Sequence, residues 1–126
     1  MNVLLDTCAL LGLAGGELPD GAAGALRQAP DAYVSVVSPW EVAIKVAGGK
    51  LRLMEPPLEW FVGLIERYDL RDVPLDAGIA CAAAALPSLH RDPFDRVIIA
   101  LARAYGLTVL TSDENIRRYP GVTTHW

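Results

Sequence analysis

The chain has 126 residues, 52% of them apolar, enough for one domain with its own core and no need of disulfides or a structural metal. Its net charge of −4 argues against a general polyanion binder, yet leaves room for an acidic pocket that holds cations. No apolar run reaches the ~18 residues of a membrane span. The opening Met1-Asn2-Val3-Leu4-Leu5-Asp6 has no basic region or cleavage site, so no secretory signal is expected. Cys8 and Cys81 lie in apolar surroundings and read as buried free thiols, which points to a reducing cytoplasm.

Val3-Leu4-Leu5 reads as a short buried strand, followed by a helix over Thr7–Ala14 that stops at Gly15-Gly16. Pro19-Asp20-Gly21 predicts a turn, and Ala22–Gln28 a short helix. The β-branched run Tyr33–Val37 predicts the second strand. A helix then starts at Ser38, with Pro39 in its first position, and ends before Gly48-Gly49. Pro57–Tyr68 has apolar residues at helical spacing, including Trp60, Phe61 and Leu64. Arg71–Leu75 predicts a strand and Asp76–Leu86 an alanine-rich helix. Asp92-Pro93 opens a helix that runs to Tyr105 and stops at Gly106. Leu107–Leu110 is a buried strand, 113–118 a short helix, and 122–124 an edge strand. Strands separated by helices need crossovers, so the expected fold class is α/β with a mostly parallel sheet covered on both faces.

In such sheets, sites gather beyond the carboxyl ends of the strands. Asp6 directly follows the first strand, and Asp113 follows the Leu107–Leu110 strand after two residues. Glu41, Asp92 and Asp95 fall at helix starts. Each acid has an ordinary structural explanation. Asp6 and Asp92 fit N-caps, and Ser38-Pro39-Trp40-Glu41 fits a capping box. Asp95 and Asp113 fit first-turn acids that favour the helix dipole. Brought together, the four acids Asp6, Glu41, Asp95 and Asp113 would repel one another unless a cation sat among them. Mg²⁺ or Mn²⁺ suits oxygen ligands, and a metal so held suits phosphodiester hydrolysis. Thr7, Ser112, Lys45 and Arg96 are candidate substrate contacts, set against capping for the two hydroxyls, an i,i+4 pair with Glu41 for Lys45, and simple charge balance for Arg96. His90 reads as a loop histidine rather than a ligand, and His125 has no assigned role. Trp40, Trp60 and Phe61 read as core or dimer-interface residues rather than base-stacking platforms.

The segments LLDTCALL, SVVSPWEVAIK, HRDPFDRVIIALA and LTVLTSDENI, in this order and spacing, resemble the PIN-domain ribonucleases, and within them the VapC-type toxins of toxin–antitoxin pairs. The pair SPWEVAIK and RDPFDRVIIA is the specific part. The resemblance implies a three-layer α/β/α fold over one domain, residues 1–126, and a Mg²⁺- or Mn²⁺-dependent endoribonuclease. Asp6, Glu41, Asp95 and Asp113 match the family's acids, and Asp92 is an extra acid that joins the metal pocket or only caps a helix. The resemblance also implies an RNA substrate, a homodimer, and a VapB-type antitoxin whose tail crosses the pocket while its other half binds operator DNA.

Two other classes compete. A phosphohydrolase of the haloacid dehalogenase type needs a second Asp two residues after the first, where this chain has Cys8; a receiver needs a late Lys, and none follows Lys50. A PIN-like scaffold without chemistry usually lacks one of the acids, and all four are present here. A nuclease for DNA or for RNA maturation stays open at the level of sequence.

Overall fold

The computed structural model describes residues 1–126. In chain order the elements are β1 (Val3–Leu5), α1 (Thr7–Ala14), α2 (Asp20–Gln28), β2 (Ala32–Val34), α3 (Val37–Ala47) and α4 (Pro57–Tyr68). They continue with β3 (Arg71–Asp72), α5 (Ala77–Ala85), α6 (Pro93–Tyr105), β4 (Thr108–Leu110), α7 (Glu114–Arg117) and β5 (Thr123–His125). The five strands form one sheet in the order β3-β2-β1-β4-β5, and every neighbouring pair is parallel. No helix is long and apolar enough to cross a membrane.

Alternation along the strands assigns the two faces. Val3, Leu5 and Leu110 pack with Leu10, Val42, Trp60, Phe61 and Leu64 from α1, α3 and α4. Leu4 and Val109 face the other way, onto Ile98, Ile99 and Leu101 of α6 and Ile116 of α7. Two cores divided by a central sheet make the expected three-layer α/β/α arrangement. The sheet winds outward from β1 in one direction and from β4 in the other. That reversal opens a crevice at the carboxyl ends of these two strands.

Several expectations need correction. The second strand stops at Val34 because Ser35 turns the chain: its Oγ accepts the Val37 amide at 3.2 Å, and its carbonyl accepts the Ser38 amide at 3.0 Å. α3 therefore begins at Val37, and Pro39 sits at its third residue, where a missing N–H still costs no helical bond. The capping box at Ser38 is absent, since the Ser38 amide is already satisfied and Glu41 turns to Lys45. α2 starts at Asp20, taking in two of the three residues expected as a turn. Both thiols are exposed rather than buried. Cys8 falls outside the Thr7, Ala9, Leu10, Leu13 stripe that α1 buries, and α5, which carries Cys81, buries only Ala83. Trp60 and Phe61 are core residues, whereas Trp40 is exposed and stands edge-on to Phe94 with ring centroids 5.1 Å apart.

Candidate metal centre

Asp6 leaves β1 and caps α1, its Oδ1 accepting the Ala9 amide at 2.8 Å. The Asp6 amide in turn donates to Leu110 O at 3.3 Å, so the ends of β1 and β4 are tied together at the site. Asp113 follows β4 and is the N-cap of α7 rather than a first-turn acid; its Oδ1 accepts the Asn115 amide at 2.8 Å. Thr111 Oγ1 steadies it by accepting the Asp113 amide at 3.0 Å. Asp92 caps α6 as expected, with Oδ1 accepting the Phe94 amide at 2.9 Å, and Asp95 lies in the first turn of that helix. In each capping carboxylate one oxygen is held by a backbone amide.

Glu41 enters from α3. It is 8% exposed and pairs through Oε2 with Lys45 Nζ at 3.0 Å. Its other oxygen, Oε1, is buried without any hydrogen-bond partner. A buried unpaired oxygen costs about 1–3 kcal/mol, more when charged, unless something else meets it. α3 is anchored next to α1 by a buried contact between the Thr7 and Ser38 hydroxyls, 3.0 Å apart. The α1 and α3 acids are thereby held in a common frame.

Electrostatics identify these groups as one basin. Burial pushes the Asp6 carboxyl up from its ordinary range, and the charges of Asp113 and Glu41 push the same way, against the Thr111 hydroxyl and the Ala9 amide. Burial raises Asp95 to about 7, helped by Asp92 and Asp113 and opposed by His90. The exposed Cys8 thiol is also raised, first by burial of part of its surface and then by Asp6. Charge crowding of this kind suits a hard cation, which prefers oxygen donors, and the unpartnered Glu41 oxygen fits one.

The remaining candidates divide. Lys45 stands at the rim, its ammonium held by Glu41, whose hydrogen bond raises its pKa. Ser112 is exposed and Thr7 is buried, with the Thr7 hydroxyl turned to Ser38. Arg96 is a correction, because its guanidinium is not free for phosphate. Its Nε donates to Ala83 O at 3.1 Å, Nη2 to Ala84 O and Leu86 O, and Nη1 to Pro87 O, His90 O and the Tyr119 hydroxyl. That uses every N–H the group has. Arg96 is a clamp on the chain between α5 and α6.

His90 lies in a loop, as the sequence suggests, but the fold brings its ring beside two of the acids, which the sequence did not anticipate. Its Nε2 lies 2.7 Å from Asp95 Oδ2 and 3.8 Å from Asp113 Oδ2. The three side chains present ligand atoms within 4.8 Å of one another. Its position just before the Arg91-Asp92-Pro93 helix start was the available signal.

A parallel α/β/α sheet with acids at the ends of β1 and β4 is the arrangement of a PIN domain. The PIN domain family model matches residues 3–122, and the chain belongs to that family. Ribonuclease VapC22 of Mycobacterium tuberculosis is 33% identical over 113 residues, covering 87% of this chain and 85% of the relative, which places the chain among the VapC-type members. Among solved structures, VapBC2 of Rickettsia felis bound to a promoter DNA fragment superposes with a TM-score of 0.72 at 17% identity, covering 98% of this chain and 97% of the other. DNA-bound VapBC of Salmonella typhimurium gives 0.69 at 20% identity, with 98% and 96% covered. At these identities the two complexes support the fold.

Proposed function

We propose that this chain is a divalent-metal-dependent endoribonuclease, acting as the toxin of a toxin–antitoxin pair, with Asp6, Glu41, Asp95 and Asp113 as its catalytic acids. The observation that carries this reading is the convergence of acids at the β1–β4 crevice, with one buried Glu41 oxygen left unpartnered. Mg²⁺ or Mn²⁺ is the cation such oxygens suit. When bound, it lowers the pKa of an attacking water and offsets charge on the phosphodiester.

The chain's own contribution is position. Backbone amides fix one oxygen each of Asp6 and Asp113, so the free oxygens cannot swing away. Glu41 offers its unpartnered oxygen from the α3 side, and Asp95 closes the set from α6. Asp92 adds charge beside Asp95 while its Oδ1 holds the helix cap. Lys45, at the rim and paired with Glu41, is the candidate contact for an RNA phosphate. The likeness to VapC22 supports RNA as substrate. The likeness to VapBC complexes supports a VapB-type antitoxin as partner, and a homodimer is proposed with it.

The test is cleavage of pooled total RNA by the purified, antitoxin-free chain with Mn²⁺ or Mg²⁺, with EDTA, and with Asp6→Asn and Asp95→Asn. Metal-dependent cleavage lost in both variants supports the reading. A folded wild type that cuts nothing, or variants that cut equally well, would favour a binding scaffold.

A further inference from the structure

The segment carrying His90 is held beside the site more firmly than an ordinary loop requires. Its backbone is fixed on both sides: the His90 amide donates to the Tyr119 hydroxyl at 2.9 Å, and the His90 carbonyl accepts from Arg96 Nη1 at 3.0 Å. Pro87, three residues earlier, is held by the same two side chains, through the Tyr119 hydroxyl at 2.7 Å and Arg96 Nη1 at 3.1 Å. None of these contacts uses the imidazole. They leave it half-buried with Nε2 between two carboxylates from different elements, Asp95 on α6 and Asp113 before α7.

We propose that His90 is a nitrogen ligand of the metal centre, completing a set with Asp95 and Asp113. The inference rests on the metal-dependent reading above and deepens it. Around an octahedral ion with bonds of about 2.1 Å, adjacent donors lie about 3 Å apart and opposite donors about 4.2 Å. The observed 2.7 and 3.8 Å separations bracket the adjacent distance, and all three donors lie within 4.8 Å of one another. With the ring proton on Nδ1, the one proton shared by Nε2 and Asp95 Oδ2 would leave to solvent, freeing a lone pair on each atom for the ion.

The consequence is selectivity. A mixed set of one imidazole and several carboxylates favours Mn²⁺ and later first-row ions over Mg²⁺, which prefers oxygen alone and keeps its waters. Replacing His90 removes the nitrogen but none of the backbone contacts that hold the loop.

The experiment is electron spin-echo envelope modulation on Mn²⁺ bound to the antitoxin-free chain, beside Mn²⁺ affinity measured from the free-ion resonance and Mg²⁺ competition. Wild type and His125→Gln are expected to show coupling to a directly bound nitrogen. His90→Gln and His90→Ala are expected to lose it, with Mn²⁺ binding weakened about tenfold or more and the preference over Mg²⁺ reduced. Bound Mn²⁺ without nitrogen coupling in the wild type, but lost in Asp95→Asn, overturns the ligand role and leaves the metal centre standing. Wild type that binds no Mn²⁺ overturns the metal centre and the His90 role together. Absence of nitrogen coupling in the wild type overturns the role without any variant, and His125→Gln beside His90→Gln assigns a coupling that is present.

Discussion

Replacing Arg96 with alanine should destabilise the protein more than almost any other change to a charged residue, because Arg96 holds a whole connection together. Three of its bonds reach carbonyls in part-buried surroundings, those of Ala83, Leu86 and His90. At about 1 kcal/mol net each, their loss costs about 3 kcal/mol. The bonds to Ala84 and Pro87 are exposed, so water replaces them and they add little. For a chain of 126 residues this corresponds to a fall in Tm of about 10 °C. Lysine carries the charge but not the planar fork, so Arg96→Lys should recover less than half of the loss. Urea unfolding followed by circular dichroism measures both, with an unchanged slope showing that the denatured state is unaltered. A loss under about 1 kcal/mol for Arg96→Ala would refute the clamp, since it would mean that solvent already satisfies those carbonyls.

Other expectations follow from the same geometry. Asp6→Asn keeps an N-cap for α1 but removes a buried charge, so RNA cleavage should fall at least about 100-fold while urea stability holds or rises. Tyr119→Phe removes the hydroxyl that joins Pro87 O and the His90 amide, costing about 1–2 kcal/mol in the same unfolding assay. Asp95 has a folded pKa of about 7, above the ordinary carboxyl value. A raised folded pKa gives stability that is full below the unfolded value and lost as pH rises through the folded one. Metal-free protein should therefore lose stability between about pH 4 and pH 7, by at most about 4 kcal/mol from this group. Thermal melts across that range should show it, and Asp95→Asn should flatten the slope. Added Mn²⁺ should raise Tm more at pH 8 than at pH 5.

The architecture was legible because the strands are short apolar runs and the helices carry clear stops at Gly48, Gly106 and the Asp92-Pro93 start. Carboxylates after β1 and β4 could be placed from chain order, since a parallel sheet delivers both strand ends to one side. What escaped was set by contacts between distant segments. Ser35 ends β2 through a side-chain turn that β propensity does not register. Arg96 looked like a surface charge beside an acid, and only the fold shows the carbonyls of the α5–α6 connection gathered around it. His90 lies 3.8 Å from Asp113, 23 positions later, a contact that only the tertiary fold creates. The exposure of Cys8 depended on rotation of α1 by a single position, finer than an eight-residue apolar stretch reveals.

The pairing of β1 with β4 also orders events in time. Asp6 is synthesised 107 residues before Asp113 (113 − 6), yet its crevice needs Leu110 beside it and Asp113 just beyond. At about 5–20 residues per second, roughly 5–20 s separate the two ends of the site during translation. A partly made chain has β1 without its central neighbour and lacks one of the acids. In a chain built in this way the acidic crevice closes only after β4 has emerged and paired with β1, so the site is assembled late relative to its first acid.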